Sequence, residues 1–201
     1  MDIYGHQQSA QTREIRILCA QLDIDYELVE VNQGDLIYLP DALNPLCKVP
    51  MIDDQGFMLA EVHAIQRYLV ATRGAADTVY PADYQQRAVA DQWLDWQTTR
   101  LAPLSAEQIY CGCLNPRVEG ATRRLEHAAE TLEQLLPELE RALTEQQFDT
   151  EMVSLVTIAL GVSLEQLQLG GYSLQPWPHI ADCQQRWSAL PVFENTRPPL
   201  E

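Results

Sequence analysis

Every strand-like stretch of this sequence falls within its first 60 residues. The segment Asp25-Tyr26-Glu27-Leu28-Val29-Glu30-Val31 alternates polar with apolar or aromatic side chains, the period-two signature of a strand. Residues 1–5, with Ile3 and Tyr4, read as a shorter one. Residues 48–53 and 57–60 flank the turn-forming Asp54-Gln55-Gly56 and read as a hairpin. Between these strands, Ile15, Leu18, Cys19 and Leu22 recur at helical spacing and predict an amphipathic helix over 10–22. A second helix is predicted from Glu61 to about Arg73, with Ala64, Ile65, Tyr68 and Leu69 on one face and Gly74 as its stop. Residues 36–43 are ambiguous, a short helix being one reading. It would break at Asn44-Pro45, because the residue before a proline is pushed out of the helical region. The order is β-α-β-(α)-β-β-α.

Everything beyond residue 84 reads as helix. Residues 84–110 carry Trp93, Leu94, Trp96, Leu101 and Leu104. Residues 118–146 place leucine and alanine at three- and four-residue spacing, with a kink or break expected at Pro137. Residues 152–168 form the most apolar helix and are predicted to be buried, and a last helix is predicted over 178–189. The domains are therefore expected at 1–76 and 84–201, joined by a linker containing Pro81. Hydrophobic residues make up 46 % of the 201 positions, ample for a packed core.

The 29 acidic and 13 basic residues give a formal net charge of −16, which repels phosphate backbones and anionic lipid surfaces. No nucleic-acid or membrane partner is expected. The start of the chain lacks the basic-then-apolar order of a signal peptide, and no stretch approaches the ~20 apolar residues that span a bilayer, so a cytoplasmic protein is expected. The cysteines at 19, 47, 111, 113 and 183 are odd in number and scattered, which argues against a disulfide framework.

The run Asn44-Pro45-Leu46-Cys47-Lys48-Val49-Pro50, followed by Glu61-Val62-His63-Ala64-Ile65-Gln66-Arg67-Tyr68-Leu69, resembles the glutathione S-transferases, whose pattern is N-P-x-G-K-V-P and then E-S-x-A-I-x-x-Y-L. The start, Tyr4-Gly5-His6-Gln7-Gln8-Ser9, looks like the first strand and active-site loop of that family's serine-type, bacterial-like members. Trp187 to Pro198 resembles the family's W-x-x-x-x-P-x-F-x-x-T-x-P ending. The resemblance implies an α/β thioredoxin-like N-terminal domain that binds glutathione, plus an all-α C-terminal domain that binds the second substrate.

It also implies an activity: glutathione held as a thiolate, for attack on a small hydrophobic electrophile, as in detoxification. Glutathione is then the co-substrate, no metal takes part, and the chain pairs as a homodimer. By the same resemblance Val49 pairs its backbone with the cysteinyl unit of glutathione, and Pro50 is cis. Glu61 opens a helix whose Val62 N–H holds the γ-glutamyl carboxylate, a placement that suits the positive helix end. Lys48 is the basic candidate for the other end of the ligand. Ser9 is the candidate catalytic hydroxyl. It would donate to the glutathione sulfur and favour the thiolate, and it would also serve as the cap of its helix. Thr12 is the second hydroxyl candidate, and Arg13 reads as a surface or structural charge.

Three departures leave a second reading open, a non-catalytic module of the same fold used for assembly or ligand carriage. The family's E-S pair is Glu61-Val62, which removes a hydroxyl partner for the carboxylate at a cost of roughly 1.5–3 kcal/mol. The glycine before Lys48 is Cys47. No Lys, Arg or His lies between Asn32 and Pro45. The most apolar helix also lacks the family's S-x-x-D capping box, having Ser154 and Thr157 instead. Cys47 beside Lys48 could serve as a redox thiol, although a structural thiol is the plainer reading. Cys111-Gly112-Cys113 without a second pair is a poor zinc signature. His63 is expected to face solvent, and Trp93, Trp96 and Tyr110 to form core or cleft wall.

Overall fold

The structure is a computed structural model that describes residues 1–31, 48–75, 77 and 79–198. The reading of 36–43 and the role of Cys47 therefore lie outside the described residues. The chain divides into two compact units, Met1–Tyr80 together with the C-terminal segment from Pro191, and Pro81–Leu190.

In the first unit, β1 (Asp2–Gly5), α1 (Ala10–Gln21), β2 (Glu27–Glu30), β3 (Met51–Asp54), β4 (Phe57–Ala60) and α2 (Val62–Thr72) follow one another. The strand order is β2-β1-β3-β4, with β1 parallel to β2 and antiparallel to β3. The hairpin turns through Gln55 and Gly56, with φ of 59° and 92°. Positive φ at both central residues gives a two-residue turn the twist that matches its strands. Ile3 and Ile52 on the sheet, Ile15, Ile17 and Leu18 on α1, and Ile65 and Leu69 on α2 are fully buried.

The tail differs from the sequence expectation. Residues from 191 were assigned to the helical domain, yet the short helix α8 (Pro191–Glu194) belongs to the first unit. Buried Arg13 explains this, since its Nη2 donates to the Phe193 carbonyl at 3.1 Å. Arg16 Nη1 donates to the Thr196 carbonyl at 3.4 Å, and Phe193 is 1 % exposed. Arg13 is a structural charge and not a surface one.

The second unit contains α3 (Tyr84–Trp96), α4 (Ala102–Ile109), α5 (Ala121–Thr144), α6 (Leu155–Leu169) and α7 (Pro178–Ser188). Two π-helical turns, Gln97–Leu101 and Tyr110–Leu114, follow α3 and α4. Helix α6 is buried on all sides over Leu155–Glu165. Its N-terminus carries a capping box built with threonine: Ser154 N donates to Thr157 Oγ1 at 2.8 Å, and Thr157 N donates to Ser154 Oγ at 3.2 Å. The missing aspartate thus costs no hydrogen bond.

Helix α5 runs unbroken through Pro137, so of the kink or break expected there the break does not occur. Pro137 lies on the exposed face, as does Glu133, whose carbonyl loses its N–H partner and can turn to water. Buried Leu132, Leu135, Leu136 and Leu139 hold the helix on both sides of it. The Glu140 carboxylate then caps α7, accepting from His179 N and Ile180 N, each at 3.0 Å. Among the described residues, no helix is long and apolar enough to cross a membrane.

Gly112 has a packing role that its place in a C-x-C run conceals. A Cβ there would lie 2.0 Å from the Gly170 carbonyl oxygen, so the π-helical turn after α4 touches the end of α6 backbone to backbone. Gly112→Ala is expected to destabilise the protein by about 1–3 kcal/mol, the usual range for overpacking, and guanidinium denaturation would measure it.

Candidate active site

The register of the sheet sets the site. Tyr4 pairs with Met51, and Met51 with Ala60. The residues one step beyond, Gly5, Pro50 and Glu61, therefore emerge at one end of the sheet. Gly5 pairs with Glu30 on the other side. Chain segments 6–9, 48–50 and 61–62 all leave from this end.

The loop from Gly5 to α1 is fixed by its own backbone. Gln7 N donates to the Glu30 carboxylate at 3.2 and 3.3 Å, Gln8 N to His6 Nδ1 at 3.1 Å, and Ser9 N to the His6 carbonyl at 2.9 Å. Ser9 is the N-cap of α1, half-buried, and its Oγ accepts from Thr12 N at 3.3 Å. Accepting uses a lone pair of the hydroxyl and leaves its hydrogen to donate elsewhere. Thr12 is placed differently. It is 0 % exposed, and a Cβ on Gly5 would lie 2.4 Å from its Oγ1. Its hydroxyl is sealed beneath Gly5 and does not reach the loop surface.

On the facing segment, the Val49–Pro50 peptide bond is cis. Val49 is half-buried and Pro50 buried, while Lys48 is exposed and its Nζ lies 3.3 Å from Glu61 Oε1. Glu61 adopts φ 73° and ψ 116°. A non-glycine side chain in such a region costs of order 1–3 kcal/mol and gathers at functional sites. The carboxylate of Glu61 turns to Lys48 and makes no cap bond to α2. The first intrahelical bond of α2 is Ile65 N to the Glu61 carbonyl, at 2.9 Å. The N–H groups of Val62, His63 and Ala64 precede it in the first turn, where the helix end favours an anion.

Ser9, Lys48, Val49, Pro50, Glu61 and Val62 thus flank one sheet end, and Thr12 lies beneath it. Sequence reasoning missed the Glu30 clamp on the loop, and it misplaced His63. That residue is buried, 7 % exposed, with Nε2 3.5 Å from Glu14 Oε2. Glu14 is itself 1 % exposed. No local signal marks either residue, because each is covered by the other's helix. Among the described residues, no group of three or more His, Cys, Asp or Glu side chains is placed to hold a metal ion.

In the helical unit, Trp93 is buried against Trp96 and Phe148, with ring centroids 5.2 and 5.4 Å away. Tyr110 is 39 % exposed, with the Arg124 guanidinium 5.4 Å from its ring. A groove of about 790 Å³ between α4 and α5 is lined by Leu104, Glu107, Arg124 and His127, among others. Arg124 holds the Glu107 carboxyl below its usual range. None of the sequence-predicted site residues borders this groove.

A four-stranded mixed sheet with a hydroxyl-capped first helix and a cis-proline segment at the same end, followed in the chain by a helical unit, defines the class: a thioredoxin-like domain joined to an all-α domain. Comparison with known proteins agrees. Residues 3–76 match the glutathione S-transferase N-terminal domain family. Glutathione S-transferase theta-1 of Rattus norvegicus is 34 % identical over 140 residues, 67 % of this chain and 58 % of the relative. Glutathione S-transferase D7 of Anopheles gambiae is 26 % identical over 183 residues, 89 % of this chain and 81 % of the relative. The alignment spans about half the length of another of its curated relatives. A glutathione S-transferase structure from Pseudomonas fluorescens superposes with a TM-score of 0.84 at 22 % identity, covering 95 % of this chain and 96 % of that one. Residues 3–76 carry the N-terminal domain of the glutathione S-transferase family.

Of the described thiols, Cys19 on α1 is the most perturbed. Burial pushes it up from 9.0 to about 12, against the weaker pull of Arg73 and the N-terminal amine. The unfolded thiol ionises near 9.0 while the folded one keeps its proton to about 12. The unfolded state therefore binds fewer protons in that window, and Cys19 makes stability fall as pH rises through it. Denaturation midpoints across the alkaline range should show this decline. Alkylation of the native protein at neutral pH, mapped by mass spectrometry, should leave Cys19 unmodified.

Proposed function

We propose that this chain is a glutathione transferase in which Ser9 holds the glutathione sulfur as a thiolate. One observation carries the reading: a hydroxyl-capped α1 and an α2 without a side-chain cap start from the same end of one sheet. Unit 1 would bind glutathione, and the helical unit a small hydrophobic electrophile.

In this reading the γ-glutamyl carboxylate of glutathione sits at the start of α2. The Val62 N–H and the positive helix end receive it there, where Glu61 has turned its own carboxylate away. The cysteinyl backbone pairs with Val49 as an added strand. Lys48 exchanges its exposed Glu61 partner for the glycyl carboxylate, a change that costs little because both side chains are solvated. The sulfur faces Ser9, whose hydroxyl accepts from Thr12 N and donates its hydrogen to the thiolate. Such a bond stabilises the charged form and lowers the thiol pKa. The thiolate then attacks the electrophilic carbon: a C–S bond forms, the leaving group departs with its electron pair, and the thiol proton passes to water. Thr12, buried under Gly5, takes no direct part. A homodimer and a detoxifying role follow from family membership and belong to the same proposal.

Val62 stands where the family pattern has serine, and that specific feature favours the second reading, a module of this fold that does not turn glutathione over. Isothermal titration with glutathione separates the two. The enzyme reading expects saturable binding, weakened by the missing hydroxyl, and absence of binding would leave the non-catalytic module. Ser9→Ala is expected to raise the pKa of bound glutathione and to lower turnover of a chlorodinitrobenzene probe by about 10- to 100-fold. That factor is the worth of one hydrogen bond to a charged group. Thr12→Val should leave the thiol titration in place. Unchanged thiol titration in Ser9→Ala would remove Ser9 from this role.

A further inference from the structure

The polar groups buried between α1 and α2 have no place in the chemistry just described. Glu14 is 1 %, His63 7 % and Gln66 0 % exposed. His63 Nε2 lies 3.5 Å from Glu14 Oε2, too far for a tight hydrogen bond. Gln66 Nε2 donates to the Glu14 carbonyl at 3.4 Å. Apolar side chains of the same volume would pack these helices as well or better, since withdrawing polar groups from water offsets most of their attraction. What the cluster does provide is a contact specific to two particular turns: Gln66 bonds the Glu14 carbonyl, and the His63 ring faces the Glu14 carboxylate. His63 is the residue after Val62, in the first turn of α2. Glu14 lies in the second turn of α1, the helix that begins at Ser9.

We propose that Glu14 and His63 are a positioning pair that holds the first turn of α2 against α1, so that the N–H groups at Val62 are preset for a ligand carboxylate. The inference rests on the reading of glutathione as the ligand. Neither side chain touches glutathione in that reading. The pair acts by sparing binding the cost of ordering the turn, and Glu61, with its φ of 73°, makes that turn expensive to order. The effect falls on affinity at the carboxylate end and not on the sulfur.

The test uses titration calorimetry with glutathione and with S-methylglutathione, which keeps the carboxylates and lacks the thiol. Glu14→Leu/His63→Leu fills the same space without the tie. It is expected to weaken both ligands by the same factor, about tenfold, the scale of coupling between contacting residues. Glu14→Gln, which still offers His63 an acceptor, should bind both ligands as the unmodified protein does. The titration of bound glutathione, followed by thiolate absorbance, should not move in either variant. A folded double-leucine variant with unchanged affinities would reduce the pair to packing and overturn the proposal. So would weakening confined to glutathione, which places the effect at the sulfur. If the double variant fails to fold, His63→Asn, too short to reach Glu14, carries the same test: weaker binding than Glu14→Gln supports the pair, and equal binding overturns it. Failure of the unmodified protein to bind either ligand would remove the glutathione reading itself, and this inference with it, an outcome distinct from all the others.

Discussion

The hydrogen-bonded register of β1, β3 and β4 is the constraint on which the rest of the first unit depends. A strand presents its successors wherever its pairing ends, and a slip of one residue would turn every side chain to the other face. With Tyr4 on Met51 and Met51 on Ala60, the chain must leave the sheet at Gly5, enter it after Pro50 and leave it again at Glu61. A hydroxyl at the start of α1, the segment at Val49 and the start of α2 at Val62 are thereby gathered at one end of the sheet. The two-residue turn at Gln55-Gly56 pins the β3–β4 half of that register, and the core isoleucines on either side pin the rest.

The two helices that flank this sheet end are finished in opposite ways. Helix α1 is closed by Ser9, and its entry loop is tied back to Glu30. Helix α2 is left open, because the residue in its cap position holds a strained backbone and points its carboxylate at Lys48. Elsewhere, Asp83 caps α3, Ser154 caps α6 and the Glu140 carboxylate caps α7. Capping satisfies the free N–H groups of a helix, so the two helix starts at this sheet end differ in what their cap residues do for the first turn. Where the family pattern has serine this chain has Val62, so the backbone supplies the polar groups at that position. That makes the placement of the turn matter more here than its side chains.

Much of this was legible in the order of residues. Period-two alternation at 25–31 and helical spacing at 15, 18 and 19 act within a few residues, and the elements they predict are present. Ser9 before an apolar helical run reads as a cap because a cap is a local hydrogen bond. The P-x-x-K-V-P run and the E-V-H-A-I run carried the family resemblance. The kink or break expected at Pro137 does not come as a break, because the rule that proline breaks helices supposes a packed, unforgiving site. Here the ring and the orphaned carbonyl face water, and buried leucines on both sides hold the helix. Thr12 stood second to Ser9 as a hydroxyl candidate in the sequence, and one helical turn sends it under Gly5.

The sequence by itself determined the type and succession of the elements, the hairpin and the Ser9 cap, since each rests on interactions between near neighbours in the chain. Only the tertiary structure decided that Glu14, His63 and Gln66 are buried against one another. It also decided that Arg13 ties α1 to residue 193, and that Gly112 must lack a side chain to meet Gly170. In each case the partner lies 49 or more positions away, and burial is the sum of what distant elements bring to a point. No local pattern encodes it.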